Sequence, residues 1–254
     1  MAEPLFSIIT VCYNASDTID RTLSSVDSQS FTDYEHLIID GNSTDGTQKL
    51  VEGRPNQRRQ MVSEPDKGIY DAMNKGMSFA SGRYLIFLNA GDSFHDADVL
   101  ADYARLIQNN DEPAVVYGQT NLVDKDGTYL GPRHLRAPQT LTLDSFSEGM
   151  VVCHQAFVAL RRITPGFSPK YKLSSDYEWC IRCLQHARHT VGLGDRVTID
   201  YLAEGATTRH LFRSLRERFH IMCKYYGFWP TFIRHFRFAA RGVKRKLRNP
   251  SSKQ

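Results

Sequence analysis

Apolar runs that end on polar or acidic residues recur along the first hundred residues of the chain. Strands rich in β-branched residues are predicted over 6–13 (FSIITVCY), 34–40 (YEHLIID) and 84–89, with a weaker strand over 59–63. Apolar positions three and four residues apart predict helices after 17, over 43–51 and over 69–79. Strands that alternate with helices about every 25 residues indicate βαβ units and a parallel sheet.

The second half of the chain is more mixed. Its pattern predicts a helix over 97–108, strands over 114–118, 151–160 and 195–201, a hairpin across 124–127, and a helix over 175–187. Two basic helices divided at 227–230 are predicted to follow. The predicted fold class is therefore α/β, a mainly parallel twisted sheet flanked by helices, with a basic helical extension at the carboxyl end.

Charge divides the chain into two parts. Residues 209–254 carry 13 Lys and Arg against the single acidic Glu217, so the first 208 residues have a net charge of −8 although the whole chain has +4. We expect a domain over 1–208, with halves 1–95 and 96–208, and a basic amphipathic tail over 209–254. Aromatic and basic residues interleaved on helices are typical of a segment that lies on an anionic membrane surface. Nucleic-acid binding has the same composition, but the acidic body would oppose it, so no nucleic acid is expected.

Composition indicates an ordinary globular protein of a reducing compartment. No run of about 18 apolar residues predicts a membrane span, and MAEP followed by a strand predicts no signal peptide. The five cysteines are scattered among apolar residues, as free thiols are. Cys180 and Cys183 are explained by one turn of a buried helix. The sequence predicts a cytoplasmic protein.

Four carboxylates fall at predicted strand ends or in the loops that follow: Asp40, Asp66, Asp92 and Asp176. Ligands bind at the carboxyl ends of strands in open α/β sheets. Carboxylates placed there can contact a base or ribose, or hold a divalent ion against a diphosphate. Neither GxGxxG nor GxxxxGK[ST] is present, so a nucleotide would be held by side chains and a metal ion.

The segments SIITVCYN, IIDGNSTDGT, EPDKGIYDAMNKG and FLNAGDSF, followed by CHQAFV, KLSSDYEW and EGATT, resemble the family 2 glycosyltransferases of the GT-A fold. The resemblance covers about 5–210 and is strongest to bacterial enzymes of exopolysaccharide, O-antigen and glycolipid synthesis. It implies an inverting transfer from a nucleoside diphosphate sugar, with Mn²⁺ or Mg²⁺, to a glycan acceptor on a lipid carrier.

The resemblance also implies roles for individual residues. Asp92 would bind the metal and Asp176 would be the catalytic base. The residues expected at the nucleotide-sugar site are Thr10, Tyr13, Asn14, Asp40, Asp66, Asn74, Arg83, Asn89 and Asp92, with Gly82 beside them. His154, Gln155 and Trp179 are expected near the acceptor. Where many relatives have Asp-Ala-Asp-Asp, this chain has Asn89-Ala90-Gly91-Asp92, so metal affinity could be weaker.

Structural explanations stand beside several of these assignments. Asp40 and Asp66 could serve only their turns, and Asp45 and Asp71 are explained by helix capping. Asp176 also lies in a first helical turn, with Glu178 as the second candidate for the base. His154 could be an ordinary core histidine, and His210 a surface one.

Two other functions compete with glycosyl transfer. A nucleotidyltransferase would use a similar sheet but needs a Gly-, Arg- or Lys-rich loop after its first strand, where this chain has Asn14-Ala15-Ser16. A binding module for anionic lipid or RNA with an inactive body would explain the basic tail and the single carboxylate at Asp92.

Overall fold

The computed structural model describes residues 3–203 and 211–235. Its strands are β1 (Phe6–Cys12), β2 (Tyr34–Asp40), β3 (Arg59–Ser63), β4 (Tyr84–Phe87), β5 (Ser93–Phe94), β6 (Val115–Val123), β7 (Tyr129–Pro132), β8 (Phe157–Leu160) and β9 (Thr190–Leu202). Its helices are α1 (Ile19–Asp27), α2 (Thr47–Glu52), α3 (Ile69–Phe79), α4 (Val99–Gln108), α5 (Ser175–His186) and α6 (Leu211–Tyr226). Short 3₁₀ turns cover Asp144–Glu148, His154–Ala156 and Arg161–Ile163.

The first half of the chain forms a parallel sheet in the order β3-β2-β1-β4. β1 is buried at every position, as predicted for an apolar strand covered on both faces. Its last residue, Cys12, pairs with Asp40 at the end of β2. The carboxyl ends of these strands and the turn that follows β4 therefore share one edge of the sheet.

The second half continues the sheet with mixed directions. β8 pairs antiparallel with β4 and β6, β9 runs parallel to β6, and β7 forms the predicted hairpin with β6. The α/β class is confirmed, but the parallel part is concentrated in the first four strands. β6 and β9 are longer than predicted, because each pairs along its length with the other. The strand predicted over 151–160 is shorter, since a 3₁₀ turn occupies His154–Ala156.

Helix starts differ slightly from the prediction. α2 begins at Thr47, not at Ser43 or Thr44, because the Asp45 carboxylate accepts hydrogen bonds from the Thr47 backbone and hydroxyl. Asp71 likewise accepts the backbone N–H of Lys67. Both carboxylates therefore bond the backbone where their helices begin, although neither helix has a side-chain hydrogen bond from its N-cap residue, Gly46 or Gly68.

An aromatic cluster joins α5 to the sheet. Trp179 on α5 lies parallel to Phe167, with ring centroids 5.1 Å apart, and meets Phe87 and Phe157 edge-on at 5.3 and 5.7 Å. Such contacts add about 0.5–1.5 kcal/mol each beyond the burial of their area. The cluster fixes the start of α5 relative to the end of β4. Cys180 and Cys183 are buried free thiols on the same helix, as predicted.

The predicted basic tail is not a separate extension over its first part. α6 packs on the body: Ile221 and Met222 belong to the main core, and Lys224 donates to buried Glu178 at 2.7 Å. The predicted division into two helices is confirmed, since a second helical segment runs over 228–235. Within residues 3–203 and 211–235 no helix combines the length and apolarity needed to cross a bilayer.

Candidate active site

The turn Asn89–Asp92 after β4 forms the centre of the site, and α1 holds it in place. Thr22 Oγ1 donates to the Asp92 carbonyl at 2.7 Å and accepts the Gly91 N–H at 2.9 Å, while Arg21 donates to the Gly91 carbonyl. Gly91 has a φ of +97°, and a Cβ there would lie 2.7 Å from the Leu202 side chain. Only glycine meets both requirements without strain.

The Asp92 carboxylate is almost fully buried at the end of this turn. Gln155 Nε2 donates to Oδ2 at 2.7 Å, and the Leu202 backbone N–H donates to Oδ1 at 3.0 Å. Burial raises the pKa of Asp92 to about 6, although both hydrogen bonds favour the ionised form. Gln155 is itself held by the Cys153 thiol.

Asp176 lies at the start of α5, and its side chain keeps 14% of its surface exposed. Tyr70 donates to Oδ1 at 2.9 Å, and His154 Nδ1 lies 3.3 Å from Oδ2. Burial opposes ionisation, but His154, the charge of Arg218 and the Tyr70 hydroxyl together outweigh it and lower the pKa of Asp176. Asp176 is therefore an ionised, partly accessible carboxylate at neutral pH.

His154 connects this carboxylate to the turn after β4. Its second ring nitrogen, Nε2, lies 3.4 Å from Asn89 Nδ2. The imidazole is 9% exposed, and Asn89 Oδ1 is buried without a hydrogen-bond partner among the described residues. One chain of polar contacts thus runs from Asn89 through His154 to Asp176 and Tyr70.

The loops that follow β1 and β2 meet beside these groups. The Tyr13 ring is 66% exposed, and a Cβ on Gly41 would lie 2.5 Å from Asp66 Oδ2 and 3.3 Å from the Tyr13 ring. Asn14, with a φ of +48°, accepts the Thr44 N–H and so ties the loop after β1 to the loop after β2. Tyr13, Asn14 and Asp66 lie where the sequence predicts them, at the edge expected for a nucleotide.

Two residues predicted at the nucleotide site do not reach this surface. Asp40 is fully buried, and its oxygens accept hydrogen bonds from Ser43, Gln48, Ser63 and Cys12, so the prediction of a base contact is wrong. Those hydrogen bonds lower the pKa of Asp40 in spite of its burial. Thr10 is also fully buried and bonds His36 at 2.9 Å, so it does not line a pocket.

Asn74 and Arg83 also have structural roles instead of the predicted contacts with the donor. Both polar atoms of the Asn74 amide bond the backbone of Phe167, at 2.7 and 2.9 Å, which fixes the loop before α5. Arg83, with Gly82, lies at the amino end of β4 and pairs with Glu112. Six residues of extended chain, about 20 Å, separate it from Asn89. Neither side chain contacts the donor site, contrary to expectation.

The residues expected near the acceptor are also internal. Trp179 has no exposed surface and donates to the Pro165 carbonyl, so it cannot stack on a sugar. Gln155 is fully buried and supports Asp92, while His154 supports Asp176. Glu178, the second candidate for the base, is buried against Lys224 and Tyr225 and is unavailable for proton transfer. His210 lies outside the described residues.

The fit of a divalent cation depends on Asp92. In the described part of the chain no group of three or more His, Cys, Asp or Glu side chains is arranged to hold a metal ion. Each Asp92 oxygen accepts one hydrogen bond and keeps a further lone pair. One carboxylate suits Mg²⁺ or Mn²⁺ when phosphate oxygens and water supply the remaining ligands. The residues fit a cation that arrives with a diphosphate.

Several residues of the site escaped the sequence prediction. Tyr70 carries no sequence signal beyond its place in the predicted helix over 69–79, yet it bonds the predicted base from 106 positions away. Arg218 was assigned to the basic tail, but its charge acts on Asp176, and its buried Nε has no hydrogen-bond partner within 3–203 or 211–235. Arg21 and Thr22 carry no motif that marks them as supports of the turn. Their roles depend on contacts distant in the chain.

Comparisons with known proteins identify the family of this chain and agree with its fold. The family model described as Glycosyl transferase family 2 matches residues 7–163. A PGL/p-HBAD biosynthesis glycosyltransferase of Mycobacterium tuberculosis is 31% identical over 192 residues, which cover 73% of this chain and 72% of the relative. The amylovoran biosynthesis glycosyltransferase AmsB of Erwinia amylovora is 29% identical over 72% of this chain and 64% of its own length.

Solved structures share the architecture at low sequence identity. Residues 1–349 of TarS from S. aureus, in complex with UDP-GlcNAc, match with a TM-score of 0.72 and 18% identity over 92% of this chain and 73% of that one. The mannosyltransferase PcManGT of Pyrobaculum calidifontis, in complex with GDP-Man and Mn²⁺, matches with a TM-score of 0.65 and 16% identity over 98% and 82% of the two chains. These likenesses establish the fold.

Proposed function

Because this chain belongs to glycosyl transferase family 2, we propose that it transfers a sugar from a nucleoside diphosphate sugar to a hydroxyl group of a glycan acceptor in cell-surface polysaccharide or glycolipid synthesis. The observation that carries the proposal is the meeting of two carboxylates with opposite environments at one edge of the sheet. The pKa of Asp92 is raised and that of Asp176 is lowered. Two titratable groups whose pKa values are shifted in opposite directions are typical of active sites in which the groups have different catalytic roles.

The donor would lie at the ends of β1 and β2. Tyr13 offers an exposed ring on which a base can stack, and Asp66 offers a carboxylate oxygen beside it. Gly41 lets Asp66 and the Tyr13 ring approach the backbone closely, since any side chain there would collide with Asp66. The diphosphate would then extend toward Asn89 and Asp92. Support comes from the relatives in complex with UDP-GlcNAc and GDP-Man, although they do not identify the nucleotide or sugar used here.

Asp92 would hold Mn²⁺ or Mg²⁺ together with the diphosphate. When bound, the cation would neutralise charge that develops on the departing nucleoside diphosphate. The chain's own contribution is to keep Asp92 ionised and oriented, through Gln155 and the Leu202 backbone. The deeply buried Gln155 also excludes water from one side of the carboxylate.

Asp176 would act as the catalytic base of an inverting transfer. Its carboxylate accepts the proton of the acceptor hydroxyl while that oxygen attacks the anomeric carbon from the face opposite the diphosphate. The bond to the diphosphate breaks in the same displacement, and its electron pair leaves with the nucleoside diphosphate. A small cavity of about 100 Å³ is lined in part by Tyr70, whose hydroxyl bonds the base, and by Tyr171 and Lys172. We assign this side of the site to the acceptor.

A lipid-linked acceptor would bring the enzyme to the inner face of the cell membrane. The helical segment over 228–235 exposes Phe228, Trp229, Phe232 and Ile233, each with half or more of its surface accessible. Residues 236–254 add seven Lys and Arg and no acidic residue. Exposed aromatic side chains next to basic ones suit the headgroup region of an anionic bilayer. The free cysteines agree with a cytoplasmic location.

The experiment is a turnover assay on the full chain. A panel of UDP-, GDP- and dTDP-sugars is screened for nucleoside diphosphate release with Mg²⁺, with Mn²⁺ and with EDTA. Asp176→Asn should reduce transfer by about 10²-fold or more while donor binding persists. Asp92→Asn should remove metal-dependent turnover and weaken diphosphate binding in the presence of metal. Its unfolding temperature is measured beside its activity, because the new NH2 group faces a donor, either Gln155 Nε2 or the Leu202 N–H.

The matched control is Asp126→Asn, which changes an exposed carboxylate at the tip of the hairpin between β6 and β7. It should behave as the wild type. Absence of turnover with every donor, together with vesicle binding, would instead favour the lipid-binding module. Normal turnover of Asp92→Asn or Asp176→Asn would remove that residue from the mechanism.

A further inference from the structure

The contacts of Asp176 leave room for one more hydrogen bond. A carboxylate oxygen has two lone-pair sites. Oδ1 uses both, because it accepts the Tyr70 hydroxyl and the Tyr177 backbone N–H, each at 2.9 Å. Among residues 3–203 and 211–235, Oδ2 faces only His154 Nδ1, at 3.3 Å. An acceptor hydroxyl can therefore reach the base only at Oδ2, next to the imidazole.

Asn89 restricts the proton position on that imidazole. The Asn89 amide nitrogen faces Nε2 at 3.4 Å, and an amide nitrogen only donates hydrogen bonds. With the amide in this orientation, which leaves Asn89 Oδ1 without a partner among the described residues, Nε2 accepts and the ring proton lies on Nδ1, where it points at Asp176. A carboxylate at position 89, which many relatives have, could not donate and would favour an imidazolium with protons on both nitrogens.

We propose that Asn89 and His154 are positioning residues for Asp176: the Asn89 amide holds His154 as the neutral tautomer with its proton on Nδ1, and that N–H orients Asp176 so that Oδ2 receives the proton of the acceptor. This inference rests on the proposed glycosyl transfer. The acceptor O–H bond breaks, its proton moves to Oδ2, and the new bond forms between the acceptor oxygen and the anomeric carbon. His154 keeps its one proton throughout. The replacement of a carboxylate by Asn89 is then a specific feature of the base and not a weakened metal motif.

The groups that face Asp176 come from three parts of the fold. α3 contributes Tyr70, the 3₁₀ turn contributes His154, and α6 contributes Arg218. The remaining titratable groups close enough to interact with it electrostatically are Cys153, Cys180 and Tyr201, and burial raises the pKa of all three. They stay uncharged near neutral pH, so His154, Arg218 and Tyr70 are the groups whose charge or hydrogen bonds change the pKa of this carboxylate.

The first test observes the tautomer directly and needs no activity. Long-range ¹H–¹⁵N spectra of ¹⁵N-histidine-labelled full chain at pH 7.5 should show one imidazole protonated on Nδ1 only, assigned to His154 by its loss in His154→Gln. In Asn89→Asp the same ring should become protonated on both nitrogens. Protonation on Nε2 alone in the wild type, or identical spectra for His154 in the wild type and Asn89→Asp, would overturn the proposal.

The second test uses the pH profile of turnover. His154→Gln removes the contact that lowers the pKa of Asp176 most strongly, so the acidic limb of kcat should move to higher pH. We expect kcat to fall about 10- to 100-fold with little change in the KM for the donor. A merely structural role would lower the amount of folded enzyme without moving the limb, and that outcome would contradict the positioning role.

The matched control changes another histidine–aspartate pair. His95 bonds Asp200 at 3.0 Å, between β5 and β9, and has no contact with the site. His95→Gln should leave both the His154 resonances and the pH profile unchanged. If glycosyl transfer itself proved wrong, the spectra would still decide the tautomer, so the failure of the two ideas can be separated.

Discussion

At the scale of single residues, the difference between a functional and a structural carboxylate lies in the lone pairs that remain free. Asp40 uses its oxygens within the protein, to fix the loop after β2. Asp176 keeps one lone pair and some exposed surface. Asp92 keeps one on each oxygen. The chain places all three in similar sequence surroundings, at or just beyond the end of an element.

Tyr70 offers a test at this scale. Tyr70→Phe removes the hydroxyl that bonds Asp176, but the ring keeps its contact with Phe167, at 5.7 Å between centroids. We expect kcat to fall about tenfold, the value of one hydrogen bond to a charged group. Because the hydroxyl helps to lower the pKa of Asp176, the acidic limb of kcat should also move to higher pH. Steady-state kinetics from pH 5 to 8 checks this, and an unchanged kcat would exclude Tyr70 from the site.

At the scale of secondary-structure elements, one half-buried carboxylate, Glu35, joins three segments at the amino edge of the sheet. Glu35 on β2 accepts hydrogen bonds from Ser7 on β1 and from Ser81 and Gly82 before β4, all on Oε1. Burial opposes ionisation, but these four donors outweigh it and lower the pKa of Glu35. The ionised group therefore stabilises the fold above its unfolded pKa, near 4.5, and loses this effect as pH falls through the lower folded pKa.

Glu35→Gln tests this linkage. The variant should lose about 1 kcal/mol of unfolding free energy at pH 7, since neutral hydrogen bonds replace charge-assisted ones. The loss should be constant above about pH 5 and diminish below it. Urea unfolding at pH 7, 5 and 3.5 measures it. A difference that grows on acidification would reverse the sign and contradict the interpretation.

The packing of α6 on the body provides a second prediction at the scale of secondary-structure elements. Lys224 and Tyr225 satisfy Glu178, which has 2% of its surface exposed. Lys224→Met leaves this carboxylate buried with one partner, and we expect a loss of about 2 kcal/mol, less than for a fully buried pair because the lysine is half exposed.

Two further variants make the α6 result specific. Glu178→Gln combined with Lys224→Met should recover part of the loss, because no unpaired charge remains. Arg216→Met, an exposed position on the same helix, should cost less than about 0.5 kcal/mol. Equal losses for Lys224→Met and Arg216→Met would mean that the ion pair does not hold the helix.

At the scale of the whole molecule, α6 changes how membrane binding must be tested. Deletion of everything after Arg209 would remove Ile221 and Met222 from the core and the partners of Glu178. The loop before Asp176 would also lose Glu217, which accepts the backbone N–H groups of Lys172 and Leu173. The behaviour of such a deletion variant would therefore report on folding and not on membrane binding.

A more specific test of membrane binding keeps α6 and changes only exposed side chains of the segment 228–235 or the residues that follow it. Trp229→Ser with Phe232→Ser should reduce co-sedimentation with vesicles rich in phosphatidylglycerol, because both side chains are largely exposed and free to enter the headgroup region. Deletion of 236–254 removes seven basic residues and should weaken binding most at low salt. Tyr129→Ser with Leu130→Ser, equally exposed on β7, is the control. Binding equal to the control in both variants would exclude the carboxyl-terminal surface as the contact.

The sequence by itself determined the framework of this protein. Apolar runs of period two and helical spacing placed α3, β2 and β3 at their observed ends, because local burial patterns follow directly from strand and helix geometry. The positions of Tyr13 and Asp92 in the loops after β1 and β4, and of Asp176 in the first turn of α5, follow from the same reasoning. The family resemblance then indicated glycosyl transfer, and family membership is confirmed.

Only the tertiary structure decided which of these side chains can still contact a ligand and which are buried or fully hydrogen-bonded within the protein. Asp92 is supported by Gln155, 63 positions away, and by Leu202, 110 positions away. Tyr70 reaches Asp176 across 106 positions, while Trp179 turns into the core and α6 folds back on the body. Hydrogen-bond saturation and burial depend on the neighbours that the fold brings together, and no local pattern records those neighbours. For this reason the motifs identified the edge of the sheet that carries the site, whereas the packing determined the role of each residue there.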